Sequence, residues 1–246
     1  MIKTLPSTNL KIEQTEKQTF NLDTYLLYAF AKMPAKAKTV IEFGSGDGVL
    51  MLLLSQKTKA KIIGLEIQTS RHLRAVKNIE LNNLENQLES LNVDLKNYQF
   101  KDADCIIVNP PFFKLNPQVL LSPNEERSIA RHELKVNLEE IISSASRMLK
   151  YGGWLYMIHR PERLTEIIEF FDHYKIAIKN IRFVHPYENK KANHVLIKGL
   201  KYGQSSLTVE PPLIIYQNDG RAHQEIKEIY GGDFDVVKFA NAQRQT

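Results

Sequence analysis

Asn109, Pro110, Pro111 and Phe112 follow directly on the apolar run Asp104 to Val108, where a buried strand should end. Asn109 offers a side-chain carbonyl, and the two prolines have no N–H, so the turn presents hydrogen-bond acceptors on a stiff backbone. Two acceptors at a fixed separation suit a planar amino group with two hydrogens. An aromatic ring beside them can stack on the ring that bears that amine. A rigid turn with core aromatics is the plain alternative for the same residues.

Three earlier strand ends carry further candidates. In EFGSGDG (42–48), Glu42, Gly44, Ser45, Gly46 and Gly48 follow the short apolar run TVIEF, and alternate glycines let the backbone turn tightly and a ligand approach it. GxGxG is not the dinucleotide pattern GxGxxG, which weakens the case for a nicotinamide cofactor. Glu66, followed by Ile67, ends KIIGLEI (61–67), where a carboxylate would hold the ribose hydroxyls of a nucleoside ligand. Asp94, after LESLNV (88–93), can accept from the exocyclic amine of an adenine; it can equally serve as a turn or helix cap.

The elements that must position these residues alternate. Between the strand-like runs lie GVLMLLLSQ, RHLRAVKNIELNN and NLEEIISSASRMLK; in the last, Leu138, Ile141, Ile142, Ala145 and Leu149 share a helical face, and Gly152 and Gly153 are expected to end it. WLYMIH (154–159) reads as a strand again. Strand–helix alternation implies a doubly wound, mostly parallel α/β sheet, so all four candidate strand ends would share its carboxyl edge. IAIKNIRFVH (176–185) and ANHVLIKGL (192–200), joined by PYENKK, read as an antiparallel hairpin ending a sheet of seven strands. A short helix is expected at 221–230. Residues 1–230 read as one domain and 231–246 as a polar tail.

With 43% hydrophobic and 25% charged residues the chain reads as globular. A polar N-terminal stretch and the lack of any apolar run near ~20 residues predict no membrane span and a cytoplasmic location. The single cysteine, Cys105, lies inside an apolar strand and reads as a buried thiol, and the seven histidines show no paired ligand spacing, so no metal is expected. Asp23 precedes an apolar helical pattern and reads most simply as an N-cap.

GxGxG, Glu66, Asp94 and above all NPPF resemble a class I S-adenosylmethionine-dependent methyltransferase of the group that methylates exocyclic amines and amides. QTFNLDTYLLYAF (18–30), IARHE (129–133), HRPERL (159–164) and VHPYENKKANHVLIKG (184–199) are similar to the bacterial tRNA adenine-N6 methyltransferases that modify the adenosine 3′ of the anticodon of a valine tRNA. The resemblance runs to about Tyr230; Phe112 stands where many relatives have Tyr, and the tail DFDVVKFANAQRQT matches nothing in that family.

It implies catalytic roles for Asn109, Pro110, Pro111 and Phe112. It also implies cofactor contacts from Glu42, Gly44, Ser45, Gly46, Gly48, Glu66, Ile67, Asp94 and Asn109, with an N-terminal segment covering the cofactor at its methionine end. The alternatives are methylation of another amine or amide, such as guanine N2 of ribosomal RNA or a protein glutamine, and a non-catalytic RNA-binding protein on the same fold. The glutamine enzymes generally carry Tyr in the motif and a helical domain ahead of the core, and only 38 residues precede TVIEF here.

Between His173 and Gly203 stand seven cations and one acid, Glu188, against a whole-chain net charge of +5. Arg131, Arg160, Lys190, Lys191 and Lys198 are the candidates for contacting the anticodon loop of a tRNA; a solvated hairpin face is the bland alternative.

Overall fold

The computed structural model describes residues 2–13, 22–110 and 137–232. Two short strands, β1 (Ile2–Thr4) and β2 (Lys11–Glu13), pair with each other and lie against the third helix, where Asn78 and Asn82 accept from the Glu13 and Lys11 N–H groups. Helix α1 (Leu22–Phe30) comes next and buries Leu22, Tyr25, Leu26 and Leu27. Its C-terminal carbonyls have no partner within the helix. Lys57 reaches across to donate to Tyr28, Ala29 and Ala31 carbonyls, and burial there pushes its pKa down to about 8.

The main sheet is built by β3 (Thr39–Phe43), α2 (Val49–Ser55), β4 (Lys61–Glu66), α3 (Thr69–Glu80), β5 (Leu88–Asn92) and β6 (Ala103–Val108), then α4 (Leu138–Met148) and β7 (Leu149–His159). A short 3-10 turn and α5 (Leu164–His173) lead to β8 (Ile176–His185) and β9 (His194–Lys201). The strands stand in the order β8-β9-β7-β6-β3-β4-β5, parallel throughout except that β9 runs antiparallel to both neighbours. Strand runs such as Val40-Ile41, Ile62-Ile63 and Ile106-Ile107 are apolar at successive positions because both faces are covered. Val40, Ile62 and Ile107 meet α1, α2 and α6 (Gln224–Tyr230), whereas Ile41, Ile63 and Ile106 meet α4 and α5.

Two details depart from the sequence reading. The seven expected strands are joined by β10 (Thr208–Val209) and β11 (Leu213–Ile214), two-residue segments that pair in parallel with β8 and cover its outer edge, giving nine. Such short pairings leave no period in a sequence.

Gly152 and Gly153 do not end α4, which stops at Met148, with Leu149 already extended. They lie where the β6–β7 register jumps from Ala103↔Leu149 to Cys105↔Trp154. Gly153 is needed because a side-chain carbon there would sit 2.9 Å from the Ala103 carbonyl oxygen. The start of α4 follows the capping-box rule, with Asn137 and Glu140 each accepting from the other's backbone N–H. Among the described residues no helix is long and apolar enough to cross a membrane.

Candidate active site

The loop after β3 is shaped by three glycines with positive φ, Gly44 at 69°, Gly46 at 55° and Gly48 at 83°, a region that side chains with a Cβ rarely enter. Gly44 and Ser45 donate their N–H groups to the Leu65 carbonyl, so the loop folds over the end of β4. Glu66, the last residue of β4, then accepts from Gly46 N and from Gln68 N, both at 2.8 Å, one on each carboxylate oxygen. The buried Glu66 carboxylate thus staples the glycine loop to the start of α3. Each of its oxygens has a further lone pair for a ligand hydroxyl.

A second clamp comes from residues that carried no motif. Asp47, 4% exposed, places Oδ1 3.0 Å from Arg74 Nη2 and 3.5 Å from Arg71 Nε, and its carbonyl accepts from Asn78 Nδ2 at 2.9 Å. The Arg71 guanidinium lies so close over the loop that a side-chain carbon at Gly46 would meet it at 2.7 Å. Asn92, at the end of β5, donates to the carbonyls of Glu66 and Ile67 and accepts from Thr69, bracing the neighbouring strand end.

Glu42 and Ser45 bear on what the loop can hold. Glu42 Oε2 and Ser45 Oγ are buried without a hydrogen-bond partner. Burial, together with the nearby Glu66 charge, holds the Glu42 carboxyl well above the usual carboxylate range. Buried polar atoms are normally paired. Two unpaired ones beside a glycine loop mark a place for a ligand with donors. The space above Gly44 is open, with nothing within 4 Å of a built side-chain carbon. Ile67, at 45%, is an exposed aliphatic side chain beside Glu66 and suits the apolar face of a flat ring.

Asp94 has the turn role: Oδ1 accepts from Lys96 N at 2.9 Å, and its carbonyl accepts from Asn97 and Tyr98 N–H. Oδ2 stands 3.7 Å from Lys96 Nζ.

Asn109 lies one residue past Val108, which pairs with Phe43 across adjacent parallel strands. Asn109 and the glycine loop therefore leave the sheet side by side, their backbones about 5 Å apart by strand spacing. Asn109 Nδ2 donates to Thr24 Oγ1 of α1 at 3.3 Å. Pro110 is buried, and Pro111, Phe112 and Arg131 lie outside the described residues.

Asp23 is no N-cap: it sits within α1, buried, with Oδ1 3.2 Å from His194 Nε2 at the start of β9. Its partner, at the start of β9, is buried with it. His159, ending β7, accepts the Arg160 N–H at Nδ1 (2.8 Å), and burial with the Arg163 charge pushes its pKa down to about 4.

The basic residues separate. β8 is parallel to β7, so the loop between β8 and β9 projects at the same edge as Asn109; Lys190 and Lys191 are exposed there, and Arg160 Nη1 donates to the Asn193 carbonyl beside them. Lys198 is elsewhere. It lies in mid-strand with Nζ 3.9 Å above the Trp154 ring, lining a cavity of about 530 Å³ between α1, α6 and β7–β9 that none of Gly44, Glu66, Asp94 and Asn109 lines. Three more of the seven cations are engaged internally: Arg182 in a two-pronged pair with Glu225, Lys179 with Gln204 and Ser206, and buried Lys201 with Ser146 and Tyr174. The charge is thus less concentrated at the site edge than its density in the sequence implies. Among the described residues no group of three or more His, Cys, Asp or Glu could hold a metal ion.

An open, mostly parallel sheet with a glycine loop after its first long strand, a carboxylate at the end of the next and an amide two strand ends along defines a class I methyltransferase. The chain belongs to the Methyltransferase small domain family, whose model matches residues 21–184. It is 29% identical over 206 residues to the tRNA1(Val) (adenine(37)-N6)-methyltransferase of Dyadobacter fermentans, covering 82% of this chain and 83% of that one. It is 26% identical over 179 residues to the same-named protein of Shewanella halifaxensis, covering 71% of each. In fold it is similar to the crystal structure of a protein from Agrobacterium tumefaciens named as a predicted O-methyltransferase, with a TM-score of 0.67 and 21% identity over 85% of this chain and 96% of that chain.

Proposed function

We propose that this protein transfers a methyl group from S-adenosylmethionine to the N6 amino group of an adenosine in tRNA, the one 3′ of the anticodon in a valine tRNA. The observation that carries the chemistry is that Asn109 follows the strand end beside the glycine loop. The names of relatives that match most of the chain support the substrate.

S-adenosylmethionine supplies the methyl group as a sulfonium when bound. The residues present fit it: Glu66 has lone pairs for the ribose hydroxyls, Glu42 and Ser45 offer unpaired polar atoms near the loop, and Ile67 and Asp94 lie at the next strand ends for the adenine.

The adenine amine is a poor nucleophile because its lone pair is delocalised into the ring. Acceptance of its two hydrogens by Asn109 Oδ1 and the Pro110 carbonyl favours the geometry in which that lone pair faces the methyl group. No strong general base is needed, because the amine becomes acidic on methylation and releases its proton afterwards; positioning and electrostatics carry the acceleration. Phe112 stacks on the base, which leaves its own stack at a cost of a few kcal/mol, lower in a loop than in a duplex. Lys190, Lys191 and Arg160 hold RNA phosphates at the same edge, Arg131 is a further candidate outside the described residues, and Lys198, from its position over Trp154, is the least suited of the five.

The test is mass spectrometry of N6-methyladenosine in bulk tRNA from a deletion strain carrying either the parent gene or Asn109→Ala. The expected result is loss of the nucleoside in the deletion strain, rescue by the parent and none by the variant. Unchanged tRNA with loss of a methylated guanine or glutamine would move the reading to another amine or amide.

A further inference from the structure

An asparagine side chain has two ends of nearly equal shape and opposite chemistry, an oxygen that accepts and an NH₂ that donates. A substrate amine needs the oxygen. With the NH₂ turned inward, two donors would face each other. The terminal torsion of asparagine is broad and does not itself select one flip. Some neighbour must therefore hold the NH₂ outward.

We infer that Thr24 is that positioning residue: by accepting from Asn109 Nδ2 it holds the amide with Oδ1 turned toward the substrate amine. Among the described residues Thr24 is the hydrogen-bond partner the Asn109 side chain has, and no described residue donates to Oδ1. A threonine hydroxyl carries two acceptor lone pairs besides its own hydrogen, so its oxygen can receive the amide.

The helix that presents Thr24 is held at both ends. Asp23, the preceding residue, faces His194 across 3.2 Å, and Lys57 binds the carbonyls at the far end. Thr24 is 85 positions from Asn109, so the contact is set by the packing of α1 on the sheet and not by the NPPF turn.

This rests on the reading that Asn109 accepts from the substrate amine, and the variants separate the two. Thr24→Val keeps shape and removes the acceptor; kcat for tRNA methylation is expected to fall about tenfold, with KM for tRNA and calorimetric affinity for S-adenosylhomocysteine within twofold of the parent. Thr24→Ser should restore kcat. Thr24→Ala carries the same expectation as Thr24→Val and serves if the valine variant melts lower. Parental kcat in Thr24→Val and Thr24→Ala, with Asn109→Ala inactive, would overturn the positioning role alone. Weakened S-adenosylhomocysteine binding with unchanged kcat would also overturn it, placing Thr24 in the cofactor pocket. An active Asn109→Ala would overturn the amine-acceptor reading beneath it.

Discussion

Glu66→Ala should do more than weaken the cofactor. The Glu66 carboxylate, 4% exposed, takes the Gly46 and Gln68 N–H groups at 2.8 Å each. Removing it strands one buried and one half-buried donor, at about 1–3 kcal/mol apiece, the second toward the lower end. Water admitted to the vacated space recovers part of this, so about 3 kcal/mol is the working value for the ligand-free protein. For a chain of this size that corresponds to about 6–12 °C in Tm. Glu66→Gln retains one acceptor oxygen and turns an NH₂ toward the other amide, so it should lose about half as much.

The glutamine variant is therefore the cleaner probe of the ribose contact. Its S-adenosylmethionine affinity should fall by about 1.5–3 kcal/mol, the range for hydrogen bonds to a charged group, and NADH should not bind the parent protein. Urea denaturation without ligand, followed by calorimetry, measures the two effects separately. A Glu66→Ala protein that melts within about 2 °C of the parent would refute the staple.

Burial pushes the His159 pKa down to about 4, against about 6.5 in the unfolded chain. Stability present above pH 6.5 should be lost as pH falls toward 4, by about 2 kcal/mol at pH 5; His194 is shifted the same way, to about 3, so urea midpoints at pH 7.5 and 5 should move closer together for His159→Gln without meeting, and a profile parallel to the parent's would contradict this. Glu42 has the opposite sign: its raised pKa makes stability complete below about 4.5, the unfolded value, and lower as pH rises, so Glu42→Gln should raise Tm at pH 8 and flatten the profile, whereas an unchanged profile would place the charge elsewhere. Lys190→Glu with Lys191→Glu should weaken tRNA binding and flatten the slope of log affinity against log salt by roughly 0.7–0.9 per lost phosphate contact, leaving S-adenosylmethionine affinity unchanged; an unaltered slope would assign both lysines to solvent.

Much of the sheet could be read from the chain because buried parallel strands must be apolar at successive positions and their helices must carry a stripe. TVIEF and the stripe of α4 meet both conditions. β10 and β11 could not be read, since two residues have no period. The glycines at 152 and 153 misled because the same residue serves a helix end and a bulge, and only the Ala103 carbonyl, nearly fifty positions away, tells which.

The site divides in the same way. Residues that would touch ligand follow strand ends, so their places are announced locally. Residues that hold them are not, because each acts through a partner distant in sequence: Asp47 through Arg74 and Asn78, Asn109 through Thr24, Asp23 through His194. The lysines and arginines of the hairpin show why charge density alone misleads. A cation locked in a two-pronged pair with a carboxylate is spent on the fold, and Arg182 with Glu225 is one such pair. Glu225 lies 43 positions after Arg182, outside any local count of charge. Lys190 and Lys191 differ because the hairpin turn carries them past the sheet edge, where no carboxylate of the described residues pairs with them. A search for RNA contacts should therefore begin with cations on loops at the Asn109 edge, and proceed to strand residues such as Lys198 only after the loop lysines have been tested.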